Sequence, residues 1–222
     1  MVQFKVLISI ILVLELFGLP SPVLAQLNQT RKQIIVIDPG HGGKDSGAVG
    51  INGIQEKNIV LKIAKQIIEL NETAFKDNFE IYLTRYKDTL ISLGDRTKLA
   101  KSLNTDIFIS LHCNHSDNPN ARGLEVYVSK KQGRYSEESI LLAYHLQKGL
   151  KENIGFESRG VKFANFQVLR ETNDYFPSVL LELGFLSNGD EENYLLNKSS
   201  LLKIASAIII NLKNVSYERN VN

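Results

Sequence analysis

Residues 34–48 read IIVIDPGHGGKDSGA, an apolar β-branched run that stops at an acidic residue and opens into a glycine-rich loop. Four consecutive Ile or Val residues, 34–37, predict a strand buried inside a sheet that is covered on both faces. Pro39 cannot donate a hydrogen bond to a neighbouring strand, so the strand is expected to end by Asp38. His41 is therefore predicted to lie at the carboxyl end of a buried strand, where open α/β sheets place their sites. A turn that merely contains a histidine is the alternative interpretation.

Strand patterns and helix patterns alternate along the rest of the chain. Strands are predicted at 34–38, 79–84, 106–111, 123–129 and 178–183, and helices at 56–68, 95–103, 137–150 and 201–212. This alternation predicts a single α/β domain with a mainly parallel, twisted sheet and helices on both faces. The stretch 113–181 is expected to contain a strand, a helix and one loop.

The first 25 residues have the pattern of a secretory signal peptide. Lys5 precedes an almost wholly apolar run, 6–17, and Val-Leu-Ala supplies small residues at cleavage spacing before Gln26. The run is shorter than the roughly 20 residues of a membrane-spanning helix, so a retained anchor is the less favoured interpretation. We expect export to the periplasm, the cell wall or the medium, with no stable membrane insertion after cleavage. The predicted organisation is a signal peptide at 1–25, a short lead at 26–33, one domain at 34–213 and a tail at 214–222.

Composition excludes some classes of protein. The net charge is +2, and no basic stripe of the kind that binds nucleic acid is present. Cys113 is the one cysteine, so no internal disulfide can form and the domain must be stabilised by its core.

Ionisable residues recur at the ends of predicted elements. His112 directly follows a buried strand, and Glu182 lies inside an apolar Val-Leu-Leu-Glu-Leu run, where a carboxylate is costly unless it is paired, hydrogen-bonded or metal-associated. Glu56 opens an apolar helix shortly after the loop that contains His41. Two imidazoles and one carboxylate suit zinc with a fourth position open, while a second carboxylate can transfer a proton. Placement carries this interpretation, since the residues are too far apart in sequence for a local H-E-x-x-H motif.

Each candidate has a second interpretation. Glu56 could act only as a partner for the helix dipole, and His112 could be a satisfied buried histidine. His115 competes with His112 as a ligand but lies three residues further along, in a polar loop. His145 falls within a predicted helix, as a surface or packing residue. Cys113 lacks a second thiol and an assignable base, which disfavours a role as nucleophile.

The ordered motifs resemble those of the zinc-dependent N-acetylmuramoyl-L-alanine amidases, the amidase_3 family. They are IDPGHGGKDSGA at 37–48, Glu56, SLHCN at 110–114 and LELGFLSN at 181–188. Shorter stretches match as well: Leu-Thr-Arg at 83–85, Arg-Gly-Val-Lys at 159–162 and Val-Leu-Arg at 168–170. The resemblance runs from about residue 34 to residue 212. One difference is His115, where the family usually has a small apolar residue.

The resemblance implies a function and a role for each candidate. His41, Glu56 and His112 would bind one zinc ion, and Glu182 would be the catalytic carboxylate, acting as general base and then acid. The reaction would be hydrolysis of the amide between N-acetylmuramic acid and L-alanine in peptidoglycan. The resemblance also implies a monomer whose site no long insertion blocks, with a cell-division or wall-targeting protein as a possible partner.

Two other functions stay open at this point. A zinc peptidase could use the same metal and base to cleave stem-peptide bonds. A wall-binding module with an inactive metal site is the third reading, although an intact carboxylate at Glu182 argues against it, since a binder gains nothing from it.

Overall fold

The computed structural model describes residues 31–76 and 78–221, and the chain from Gln33 onward forms one compact unit. Its strands are β1 (Gln33–Pro39), β2 (Phe79–Leu83), β3 (Ile107–Asn114), β4 (Leu124–Ser129), β5 (Ser158–Ala164) and β6 (Ser178–Phe185). They form one sheet in the order β2-β1-β3-β6-β4-β5. Each neighbouring pair is parallel except β4 and β6, which are antiparallel.

Helices cover both faces of the sheet. They are α1 (Glu56–Thr73), α2 (Leu93–Ser102), α3 (Ser136–Ile154), α4 (Gln167–Thr172), α5 (Gly189–Leu196) and α6 (Lys198–Val221). Because side chains alternate along a strand, Ile35 and Ile37 pack in a large core with α1, α3 and α6. Val36, Phe108 and Leu180 point to the opposite face and pack in a smaller core with α2 and α4. The predicted α/β domain with a mainly parallel sheet and helices on both faces is confirmed.

The stretch between β3 and β6 contains more strands and helices than expected. The expectation of a strand, a helix and one loop over 113–181 is wrong, because β5 and α4 lie there in addition to β4 and α3. β5 is an edge strand with no residue fully buried and a glycine near its middle, so it lacks the apolar signal of a core strand. α4 has six residues, too few for a helical repeat to be visible.

Two predicted ends also differ. β3 continues through Asn114, so that His112 lies inside the strand, next to a register shift, instead of after it. The last helix continues to Val221 instead of ending at 212.

The predicted signal peptide, 1–25, and most of the predicted lead lie outside the described residues. Within the described residues no single helix could span a membrane, although the bent pair Gly189–Leu196 and Lys198–Val215 passes that test by length and composition.

The strand order brings the ends of several strands together along one edge of the sheet. β1 has β2 on one side and β3 on the other, so the chain reverses its winding between β1 and β3, the point where such sheets bind ligands. The carboxyl ends of β1, β3 and β6 meet at this edge. Because β4 runs antiparallel to β6, and β5 runs parallel to β4, the amino ends of β4 and β5 lie at the same edge.

Candidate metal centre

Three residues from three elements converge at this edge. His41 follows β1, Glu56 begins α1 and His112 lies near the end of β3. Oε1 of Glu56 lies 3.1 Å from Nε2 of His41 and 2.8 Å from Nδ1 of His112. One ligand atom from each residue lies within 4.8 Å of the others, so the group could hold a metal ion. The structure therefore brings the three predicted ligands together.

Two glycines allow the three side chains to approach one another. A Cβ atom at Gly40 would lie 2.3 Å from Cε1 of His112, and one at Gly47 would lie 2.4 Å from Oε2 of Glu56. Such distances are too short for real atoms, so both positions require the absence of a side chain. His41 itself has a φ of 59°, a left-handed backbone conformation that is uncommon outside glycine.

Glu56 is held as an ionised acceptor. Besides the two imidazoles, its Oε1 accepts the backbone N–H of Cys113 at 3.0 Å, and its Oε2 accepts that of Ala48 at 2.8 Å. Burial opposes ionisation, but hydrogen bonds and charge from His112 and His41 outweigh it and lower the pKa of Glu56 far below its usual value. Burial likewise opposes the charge on His41, yet Glu56 and Asp45 raise the pKa of His41 to about 9.

Asp45 contacts His41, although the sequence pattern did not single it out as a site residue. Its Oδ2 lies 2.9 Å from Nδ1 of His41, the ring nitrogen opposite the one that faces Glu56. A carboxylate in this position fixes the tautomer and orientation of a metal-binding histidine. The available signal was an acidic side chain four residues after His41 in a loop that folds back on itself.

Two buried arginines hold the loop that carries His41. Arg96 donates from Nη1 to Pro39 O at 2.8 Å and from Nη2 to His41 O at 2.7 Å. Arg85 donates to the carbonyl oxygens of Pro39 and Gly40 at 2.9 and 2.8 Å. Three successive carbonyl groups are therefore tied to guanidinium groups, which fixes the backbone that presents the imidazole.

The arginine beneath the loop is balanced by a buried carboxylate. Asp38 is 1% exposed and accepts hydrogen bonds from Arg96 at 2.6 Å, Thr84 at 2.6 Å and Ser110 at 2.7 Å. Burial alone would raise the pKa of Asp38, but Arg96 and the two hydroxyl donors outweigh burial and lower it. The acidic residue that ends the strand pattern is thus a structural partner of Arg96.

Glu182 lies one strand away from this group. It is the register partner of His112 on β3 and of Glu125 on β4. Its Oε2 is buried and has no hydrogen-bond partner among the described residues. Burial, with smaller contributions from Glu56 and Glu125, raises the pKa of Glu182 to about 7. A carboxyl group with that pKa can both accept and donate a proton near neutral pH.

The Amidase_3 family, described as N-acetylmuramoyl-L-alanine amidase, matches residues 35–214. The chain belongs to this amidase family. Both the resemblance and the enzyme class expected from the motifs are confirmed at the level of the family.

Individual relatives support the assignment. N-acetylmuramoyl-L-alanine amidase LytC of Bacillus subtilis is 37% identical over 84% of this chain, which spans 36% of that relative's length. The catalytic domain of CwlV from Bacillus (Paenibacillus) polymyxa var. colistinus is 35% identical, with a TM-score of 0.73 over 82% of this chain and 97% of that one. CwlD from Clostridioides difficile, solved in complex with the GerS lipoprotein, is 28% identical, with a TM-score of 0.76 over 84% and 99%.

This member of the amidase family has a cleft of about 800 Å³ at the candidate site. His41, Glu56, His112 and Glu182 contribute to its lining, together with an apolar wall formed by Leu90, Ile91, Leu93, Phe166, Val168 and Leu180. Leu90 and Leu93 remain exposed on that wall. The cleft therefore joins the polar group to an apolar surface that a non-charged part of a substrate can contact.

The remaining candidates lie apart from the three-residue group. His115 is exposed and lines the cleft, but it does not belong to the group of possible ligands found among the described residues. His145 lies on α3 with its ring 5.8 Å from that of Tyr144. Cys113 is 3% exposed, and burial raises the pKa of its thiol well above the usual value, which disfavours a thiolate nucleophile.

Proposed function

We propose that this protein is an exported, zinc-dependent amidase that hydrolyses the bond between N-acetylmuramic acid and L-alanine in peptidoglycan. One observation carries the proposal: two imidazoles and a carboxylate converge at the cleft, with a second carboxylate on the neighbouring strand. A binding module would not need the second carboxylate to be buried, unpartnered and held at a pKa of about 7.

The chemistry of the three side chains fits zinc. His41 would bind through Nε2, His112 through Nδ1 and Glu56 through a carboxylate oxygen, a donor set that leaves further positions open. Asp45 would keep the His41 ring in its binding tautomer. Zinc held there supplies a Lewis acid that polarises a carbonyl group and lowers the pKa of water.

Glu182 would transfer the proton during the reaction. In its ionised form it accepts a proton from the attacking water, and it then donates that proton to the nitrogen of the departing L-alanine. A pKa of about 7 places both forms within reach at neutral pH. The buried and unpartnered Oε2 is the oxygen without a competing protein donor among the described residues.

Analysis of reaction products tests the proposal. Purified peptidoglycan is incubated with the protein, with and without a chelator, and soluble products are identified by mass spectrometry. Stem peptides that begin with a free L-alanine amine, formed only without chelator, are the expected result. New amino termini inside the stem peptide would instead identify a zinc peptidase, and the absence of any product would favour a binding module.

Export and a protein partner belong to the same proposal. The amino-terminal pattern predicts delivery across the membrane, where the substrate lies. A regulatory partner is a proposal supported by CwlD, which was solved with a lipoprotein. Activity of the purified protein alone on peptidoglycan, unchanged by membrane extracts, would count against a required partner.

A further inference from the structure

A basic pair lies on the edge strand β5, two strands from Glu182. Arg159 and Lys162 of β5 both donate to Oε1 of Glu125, each at 2.5 Å. Glu125 is 3% exposed, and its Oε2 accepts hydrogen bonds from Tyr127 at 2.6 Å and Asn114 at 3.0 Å. Four donors therefore saturate one buried carboxylate, and two of these donors carry a full positive charge.

The strand registers connect this pair to the candidate metal centre. His112, Glu182 and Glu125 are successive register partners across β3, β6 and β4. In the next row Tyr127 pairs with Lys162 on β5. Since adjacent strands lie about 4.8 Å apart, the basic pair is about two strand spacings from Glu182, on the side away from His112.

Arg159, Lys162 and Glu125 together carry a net positive charge. One carboxylate neutralises only one of the two cations, and the side chains of Arg159 and Lys162 are 40% and 36% exposed. Arg159 is fixed by the ring of Phe185, 5.1 Å from its guanidinium carbon, and by a hydrogen bond from Nη1 to Arg122 O at 3.3 Å. Its Nη2 has no protein acceptor among the described residues. The pair is thus an ordered, partly exposed cation two strands from the proposed catalytic group.

We propose that Arg159 and Lys162 bind a carboxylate of the substrate's stem peptide, on the residue that follows L-alanine. This inference rests on the proposed function. The second residue of an extended peptide lies about 7 Å from the scissile bond, a distance that the two long side chains cover from their strand. The cleft wall near Leu90 and Leu93 is mainly apolar, and Arg96 in its lining is already bound to Asp38 and two backbone carbonyl groups. A substrate carboxylate is therefore better neutralised by the basic pair.

The test measures binding by the Glu182→Gln protein, which is expected to hold substrate without cleaving it. Two muramoyl-L-alanyl dipeptides are titrated by calorimetry, identical except that the α-carboxyl group of the second residue is free in one and amidated in the other. The free acid should bind about tenfold more tightly, as expected for a charge-assisted hydrogen bond at a partly exposed site. Adding R159M and K162M should reduce the ratio of the two dissociation constants to about one.

Two control pairs separate charge recognition from damage to the fold. R159K with K162R keeps both charges beside Glu125 and should keep the preference for the free acid. K130M with R134M removes two exposed cations that follow β4 at the opposite edge of the sheet and should leave the tenfold ratio unchanged.

The outcomes for this inference and for the proposed function are distinct. Equal affinity for the two dipeptides, no measurable binding of the free acid, or a preference that survives R159M with K162M would overturn the carboxylate site. Cleavage of both dipeptides at the muramoyl–alanine bond by the unsubstituted protein, with equal efficiency, would retain the amidase and remove this inference. A preference of the Glu182→Gln protein for the free acid, together with no cleavage of either dipeptide by the unsubstituted protein, would retain this inference and remove the amidase.

Discussion

At the scale of single residues, the carboxyl group of Glu182 separates proton transfer from metal binding. Glu182→Gln removes the group that takes and returns the proton but leaves His41, Glu56 and His112 in place. We expect the turnover of peptidoglycan to fall by about 10²- to 10⁴-fold, the usual contribution of a general acid–base group. The zinc content of the variant, measured by metal analysis, should equal that of the unsubstituted protein.

The exposed Glu138 at the start of α3 offers a matched control for this charge change. Glu138→Gln should leave both turnover and zinc content unchanged. Full activity of Glu182→Gln would show that another group transfers the proton, whereas loss of zinc from that variant would place Glu182 among the metal ligands.

Gly47 and Gly53 form a natural pair for testing how closely the site is packed. Both have positive φ, 65° and 78°, so alanine is strained at either position by about 1–2 kcal/mol. Only at Gly47 would the new Cβ meet Glu56 and His41, while at Gly53 nothing lies within 4 Å. Gly47→Ala should weaken zinc binding by tenfold or more, in the range seen when ligand orientation is disturbed. Competition with a chromophoric chelator measures this, and equal affinities for the two variants would contradict the packing argument.

At the scale of elements, the position of His41 depends on contacts between β1 and α2. Arg96 of α2 binds Asp38 at the end of β1 and two carbonyl groups of the following loop. The salt bridge is almost fully buried, with side chains that are 3% and 1% exposed. Removing one member of such a pair leaves an uncompensated charge and costs about 3–5 kcal/mol.

The lowered pKa of Asp38 makes this contact sensitive to acid. An unfolded aspartate has a pKa of about 3.9, and the folded value lies below it. The contribution to stability is therefore complete above about pH 4 and is lost as the pH falls through the folded pKa. Asp38→Asn should lower the free energy of unfolding by about 3–5 kcal/mol at pH 7, and this difference from the unsubstituted protein should narrow at pH 3.

Urea unfolding at the two pH values measures the effect of Asp38→Asn on the free energy of unfolding. Asp117→Asn, at an exposed position after β3, is the control and should change stability by no more than about 0.5 kcal/mol at either pH. A difference between Asp38→Asn and the unsubstituted protein that stays constant from pH 7 to pH 3 would show that folding does not lower the pKa of Asp38.

At the scale of the whole molecule, the site joins parts of the chain that are far apart in sequence. A ligand that binds only the folded state raises the free energy of unfolding of the whole domain. The increase is about 2.7 kcal/mol when the ligand concentration is one hundred times the dissociation constant. For a domain of this size we expect zinc to raise the melting temperature by about 5–10 °C over chelator-treated protein. His112→Ala should lose this shift, as scanning calorimetry would show. A zinc-dependent shift that persists in His112→Ala would place the ion elsewhere.

Residue chemistry and periodicity predicted the core elements correctly because burial leaves a strong apolar signal. The strands containing Ile35, Phe108 and Leu180 are fully or almost fully buried, and each reads as a continuous apolar run. The edge strand that carries Arg159 and Lys162 gave no such signal, since all of its residues are exposed or only partly buried. The extension of β3 past Leu111 also escaped prediction, because it depends on pairing with β6 and not on composition.

The sequence by itself determined the fold class, the amidase family and the residues able to hold a metal, since these follow from apolar patterns and motifs along the chain. Only the tertiary structure decided that Asp45 contacts His41, that Asp38 pairs with Arg96, and that the basic pair lies beyond Glu182. The Asp45 contact is made within one loop, across four positions. The other two relations depend on strand order and packing, which bring Asp38 together with Arg96, 58 positions away. No local pattern encodes such distances, because they arise only when six strands pair in one particular order.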